Sequence, residues 1–177
     1  MKLDKLLSEK KNIEYQYSSL LCFLPQQLSH KILKWSRENI PDKSLYVKDN
    51  SMGRENDIHI TVKYGFISNS PNRVINILKD YEPFDITLGS VTLFEKEDFD
   101  VVKIDVFSPI LNQINKAVSK LPNTDTYLIY KPHVTIAYVK HGAYNHLNNL
   151  DFQGIKFKVN ELEFSRCMNE GNDIIKL

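Results

Sequence analysis

Two histidines, each followed two positions later by a threonine, are the side chains in this chain best suited to chemistry: His59-Ile60-Thr61 and His133-Val134-Thr135. The stretches His59 to Gly65 and His133 to Val139 align, with His, Thr and Tyr identical and isoleucine exchanged with valine at two further positions. With five His and six Thr in 177 residues, about 0.2 such spacings arise by composition, so two with matching flanks read as an internal repeat. Histidine titrates near neutral pH, and a pair can hold one neutral base and one protonated acid. Threonine hydroxyls can donate to the non-bridging oxygens of a phosphate, where negative charge must be accommodated. Base, acid and fixed donors suffice for transesterification or hydrolysis at a phosphodiester. One imidazole takes the proton of the attacking hydroxyl and the other protonates the leaving oxygen.

A metal centre is the competing use of paired histidines. Asp57, two before the first His, is a plausible ligand, but the matching position in the second copy is Lys131. A cation is unfavourable beside a metal and helpful beside a phosphate, and no further ligand cluster is visible. Neither a metal nor another cofactor is expected.

Both motifs need strands to position them. Side chains alternate across a strand, so His59, Thr61 and Lys63 share one face and Ile60, Val62 and Tyr64 the other. The second copy sets His133, Thr135 and Ala137 against Val134, Ile136 and Tyr138. The apolar faces, both tyrosines included, belong on a helix layer, and the polar faces line a groove. Lys63 and Lys131 are further candidates for substrate contact. So are Arg54, which could reach a phosphate, and Tyr46, which could stack on a base from the loop before the first motif. His141, His146 and Tyr144 sit in a polar loop after the second motif and are expected to be solvated.

The rest of the chain reads as alternating strands and helices. Residues 1–12 are charged, a short amphipathic helix or a frayed tail. Tyr15 to Leu24 reads as a buried strand, and Leu28, Ile32 and Trp35 set a helix running to about Asn39. Residues 40–55 are mostly loop, with Leu45-Tyr46-Val47 a short strand, and Asp57 to Phe66 is the strand of the first motif. Ser70-Pro71 and Ser108-Pro109 both look like an N-cap followed by proline at the first helical position. Val74, Ile77, Leu78 and Tyr81 mark the first of these helices; Ile110, Leu111, Ile114, Ala117, Val118 and Leu121 mark the second. Between them, Phe84, Ile86 and Leu88 alternate and then change phase after Gly89, which predicts a β-bulge. Glu95 to Asp100 is an acidic turn, and Val102, Ile104 and Val106 share a face of the next strand. His133 to Val139 is the strand of the second motif, and Lys158 to Cys167 with Ile174-Ile175 reads as a closing hairpin. The mixture, without a linker, is a single α+β domain over 1–177.

Charge balance narrows the partner. Twenty-three basic against 22 acidic side chains argue against a protein that coats long RNA or DNA, whose affinity comes from phosphate neutralisation. No apolar run approaches the roughly 18 residues of a membrane span. MKLDKLLSEKKN lacks the features of a signal peptide, and the two cysteines, Cys22 and Cys167, have no metal spacing. A reduced, cytoplasmic monomer without membrane contact or an obligate protein partner is expected.

At the two His-x-Thr motifs the sequence resembles the 2H phosphoesterase superfamily and its 2'-5' RNA ligase (LigT-like) branch, named for such a pair. The likeness spans most of the chain, from the opening strand and helix through both motifs, 74 residues apart, to the closing hairpin. It implies a two-lobed, pseudo-symmetric fold with antiparallel sheets flanking a central cleft, helices outside, and metal-independent chemistry. It also implies acid and base roles for His59 and His133, phosphate binding by Thr61 and Thr135, and a substrate among 2',3'-cyclic phosphates, 2'-5'-linked and cyclic oligonucleotides. The alternative from another class is a non-catalytic protein that sequesters a nucleotide or RNA end in the same groove.

Overall fold

Alternation of apolar and polar side chains builds one curled antiparallel sheet backed by helices. The computed structural model describes residues 16–48 and 51–177, so the charged segment 1–12 lies outside the described residues. The elements are β1 (Ser18–Phe23), α1 (Gln26–Asn39), β2 (Val47–Lys48), β3 (Ser51–Met52), β4 (His59–Phe66), α2 (Asn72–Leu78), β5 (Phe84–Glu95), β6 (Phe99–Phe107), α3 (Pro109–Val118), β7 (His133–Lys140), β8 (Lys156–Val159), β9 (Glu161–Ser165) and β10 (Asn172–Lys176). Eight strands run in the order β10-β9-β1-β4-β7-β6-β5-β8, and β2 and β3 form a separate hairpin.

The two motif strands, β4 and β7, meet at the middle of this order and register at one pair, Ile60 with Val134. On either side of that pair they splay, leaving a cleft between two four-stranded halves. Each half contains the same unit, a strand, a helix and a motif strand: β1–α1–β4 in one and β6–α3–β7 in the other. This is the expected pseudo-symmetric α+β architecture. β8 lies at one end of the order and β9 next to the other, yet Asn160 alone joins them, so the sheet curls until its ends approach.

Ile60, Val62, Val134 and Ile136 are buried in one core with Ile32, Leu33 and Trp35 of α1 and Leu111, Ile114 and Val118 of α3. Each such side chain contributes about 1.5–3 kcal/mol relative to exposure, which pins His59, Thr61, His133 and Thr135 to the opposite face. Ser108 caps α3 as expected, its Oγ accepting from Leu111 N at 3.2 Å with Pro109 at the first helical position. Asn115 of α3 donates to Val62 O at 2.7 Å, fastening the helix to the first motif strand.

The bulge after Gly89 is present as a register shift between Leu88 and Val91 in the β5–β6 ladder. A Cβ at Gly89 would fall 2.7 Å from the Phe107 ring and 3.0 Å from Asp105 Cβ, so the strands approach closely only because that residue has no side chain.

Several expectations are corrected. The second helix starts at Asn72 with Pro71 at its cap position and stops before Tyr81; Ser70 Oγ reaches only Asn72 N, at 3.5 Å. Lys158 to Cys167 is not one strand: the chain breaks at Asn160, with β8 pairing to β5 and β9 to β1 and β10. Tyr64 is 41% exposed rather than core, edge-on to Tyr17. Two register shifts between β1 and β4, and the left-handed backbone of Gly65 (φ 90°), take the end of β4 out of simple alternation. Tyr138 is half-buried against Phe99. Among the described residues no helix is long and apolar enough to cross a membrane.

Candidate active site

His59 and His133 are oriented by the same device. His59 Nδ1 lies 2.6 Å from Asp57 O, and His133 Nδ1 lies 2.7 Å from Lys131 O. A carbonyl oxygen can only accept, so each Nδ1 carries the proton and donates it. Nε2 is then the lone-pair nitrogen of either ring when neutral, and a second donor when charged. The Ile60–Val134 pair stands between the His and the Thr of both motifs, so the antiparallel direction turns His59 toward the Thr135 end of β7 and Thr61 toward the His133 end. The four side chains therefore share the cleft face on either side of that pair.

What flanks these side chains differs between the halves. On β1, Phe23 pairs with His59 and Leu21 with Thr61, and the Phe23 and His59 rings are 5.6 Å apart. On β6 the corresponding partners are charged: Asp105 pairs with His133 and Lys103 with Thr135. Lys103 Nζ donates to Asp105 Oδ1 and to Thr92 Oγ1, the latter at 2.7 Å, while Thr92 donates to Asp105 Oδ2 at 3.1 Å. The ammonium also rests 4.3 Å from the centroid of the Phe94 ring, and Phe94 meets His133 edge-on at 4.9 Å. None of Thr92, Phe94, Lys103 and Asp105 was among the sequence candidates. A signal existed: assigning Val102, Ile104 and Val106 to the buried face leaves Lys103 and Asp105 on the other.

The pKa of His133 is pushed below the usual histidine value, chiefly because burial disfavours the imidazolium. The bond to Lys131 O and the Asp105 carboxylate oppose this, while the charges of Lys103 and His59 reinforce it.

Other sequence candidates take different places. Lys63 pairs with Leu20 past a register shift in the β1–β4 ladder, and its buried ammonium is paired with Asp125 at 2.8 Å. Burial works against the Asp125 carboxylate, yet the bonds from Lys63 and from Tyr127 N–H, with the Lys63 charge, hold its pKa below the usual value. Lys131 has an exposed side chain, and its backbone carbonyl is what orients His133. Arg54 is committed to the scaffold: its guanidinium donates to Ser36 O and Oγ, Ile40 O and Asp42 Oδ1, closing the C-terminal end of α1. Tyr46 stacks on Phe99 with centroids 5.3 Å apart and ring planes 25° apart, so that neighbour already occupies a face of its ring. His141 is exposed and pairs with Asp100 at 3.1 Å, and Tyr144 donates to Asn39 O.

The segment before each motif braces the strand of the other. Tyr46 N donates to Tyr138 O and Glu55 N to Ile136 O, both on β7. Thr124 N donates to Gly65 O and Tyr130 Oη to Thr61 O, both on β4. Among the described residues no group of three or more His, Cys, Asp or Glu side chains could hold a metal ion.

A family model for the 2'-5' RNA ligase superfamily matches residues 41–167. The fold is similar to that of E. coli LigT complexed with 3'-AMP, with TM-score 0.65 and 16% identity over 92% of this chain and 95% of that one. It is also similar to TT0787 of Thermus thermophilus, with TM-score 0.63 and 16% identity over 92% and 95%. Kluyveromyces marxianus Usb1 with uridine monophosphate aligns with TM-score 0.58 and 12% identity over 91% and 98%. No curated protein matches the chain significantly in sequence. With both motifs inside the matched span and the fold shared across nearly the whole chain, the protein belongs to the 2'-5' RNA ligase superfamily of 2H phosphoesterases.

Proposed function

We propose that the protein is a metal-independent phosphodiesterase that acts on 2',3'-cyclic phosphate, 2'-5'-linked or cyclic oligonucleotide substrates by two-histidine acid–base catalysis. The observation that carries this reading is the pair of Nδ1–carbonyl bonds, which leave both Nε2 atoms as the reactive positions beside two threonine hydroxyls. Superfamily membership supports phosphoesterase or ligase chemistry in general. The neighbours solved with 3'-AMP and with uridine monophosphate support a nucleotide in the cleft.

In this reading Thr61 and Thr135 donate to the non-bridging oxygens and hold the phosphorus between the imidazoles. His133, whose charged form burial disfavours, is the base, and His59 is the acid. A ribose hydroxyl attacks phosphorus as its proton passes to His133 Nε2; the bond to the leaving oxygen breaks as His59 Nε2–H protonates it. Opening a cyclic phosphate with water returns both protons through the same atoms in reverse. Lys131, with its exposed side chain, lends positive charge to the approach of the substrate, while Lys63 is held by Asp125.

The test is a panel of 2',3'-cyclic nucleotides, 2'-5' and 3'-5' dinucleotides and cyclic dinucleotides incubated with EDTA, the His59→Ala/His133→Ala protein serving as control. EDTA-resistant turnover of one class by the wild type alone supports the reading. Tight binding of one member without any turnover would instead establish a sequestering protein.

A further inference from the structure

The pseudo-twofold that relates β1–α1–β4 to β6–α3–β7 is broken beside the histidines. Leu21 and Phe23 of β1 occupy the places that Lys103 and Asp105 occupy on β6. Carrying both proposed phosphate-binding threonines and both histidines, the two halves could serve as equals; the flanking strands make them unequal.

Lys103 is 4% exposed, and each face of its ammonium has a partner: Asp105, Thr92 and the Phe94 ring. A lysine so held has no donor to offer a phosphate. It is a fixed charge, cross-strand from Thr135 and in contact with the phenyl ring that abuts His133. We propose that Lys103, clamped by Asp105 and Thr92, is the positioning residue that distinguishes the two histidines, by setting its charge and the Phe94 ring against His133, whereas the strand beside the first motif sets Phe23 against His59 and Leu21 against Thr61. The assignment of His133 as base in the reaction above rests on that reading of the site; the asymmetry of the two rings does not. The charged or titratable groups that act on His133 are Lys103 and Asp105 from β6 and His59 from β4, together with the Lys131 carbonyl from its own lead-in segment. Lys103 and His59 disfavour the imidazolium; Asp105 favours it.

The experiment is an NMR titration of both imidazoles in the free protein, with assignments from His59→Gln and His133→Gln. Lys103→Met is expected to raise the His133 midpoint by roughly half a pH unit or more, and Lys103→Arg to leave it within about 0.2. Asp105→Asn is expected to move it the other way, and His59 to move less in every variant. Opposite signs for Lys103→Met and Asp105→Asn separate an electrostatic role from loosened packing, which would shift both in one direction. If Lys103→Met does not fold, by loss of its amide dispersion, the Asp105→Asn shift and the Lys103→Arg rescue still decide. An unmoved His133 midpoint, or equal shifts at both rings, would overturn the proposal. Because the readout needs no substrate, an inactive wild type with the expected shifts would refute the phosphodiesterase reading and leave this one standing.

Discussion

Tyr130, three residues before His133, donates its hydroxyl to the main-chain carbonyl of Thr61 at 3.0 Å. The segment that delivers the second histidine is thereby tied to Thr61, the threonine proposed to bind phosphate. Tyr130 is largely buried, and burial pushes its phenol well above the usual tyrosine range, so the group acts as a neutral donor. Removing it in Tyr130→Phe leaves a carbonyl short of a partner and should cost about 1 kcal/mol in urea denaturation. The same change frees the two motifs to shift relative to one another, so KM should rise several-fold. An unchanged KM would show that the bond serves stability alone.

Arg54 distinguishes a scaffold residue from a substrate contact. Its guanidinium bonds to four acceptors at the end of α1. Arg54→Met should therefore destabilise by about 2 kcal/mol and lower the thermal midpoint by several degrees. In conditions where the variant is folded, KM for a nucleotide substrate should remain close to that of the wild type. A large KM increase without loss of stability would return Arg54 to the phosphate.

The threonines can be separated from the histidines by the form of the kinetic defect. Thr61→Val or Thr135→Val removes a hydroxyl that the proposed mechanism directs at the developing charge and keeps the β-branched shape. Each should lower kcat by about 10–10³-fold without moving the pH limbs, whereas histidine variants lose the limbs themselves. A valine variant with full kcat would remove that threonine from the transition state.

Stability carries a signature of His133. Its folded pKa lies below the unfolded value of about 6.5, so at mildly acid pH the unfolded chain binds the proton more readily. The contribution is fully favourable above pH 6.5 and is lost as the pH falls through the lowered folded value. Urea denaturation from pH 7.5 down to pH 5 should show this loss, and His133→Asn should flatten it. A stability profile identical in wild type and variant would mean that burial does not penalise the charged ring. In activity, the same lowering places the acid limb of kcat/KM below pH 6.5.

The motif strands were legible because period-two alternation and a repeated His-x-Thr are local properties of the chain. Ser108-Pro109 and the slip after Gly89 were legible for the same reason. Arg54 was not, since its acceptors, Ser36, Ile40 and Asp42, come together only when α1 ends beside β7. Lys103 and Asp105 lay on the correct face of a strand that sequence could delimit, but nothing local says which strand pairs with β7. The break at Asn160 has no glycine or proline to announce it, because the chain stays extended while changing partners from β5 to β1. Tyr64 followed the alternation of its neighbours in sequence and left the core only because of register shifts set by β1.

In the proposed mechanism two histidines divide base and acid work, with His133 the base. The most direct measurement compares His59→Ala and His133→Ala on two ribonucleoside 3'-phosphodiesters, one with an alcohol leaving group and one with p-nitrophenolate. On the alcohol ester both variants should lose about 10²–10⁴-fold in rate. On the p-nitrophenyl ester, whose leaving group needs no proton, His59→Ala should recover most of its rate and His133→Ala should not. Recovery by His133→Ala instead would reverse the two roles, and equal losses by both variants on both esters would contradict the division altogether.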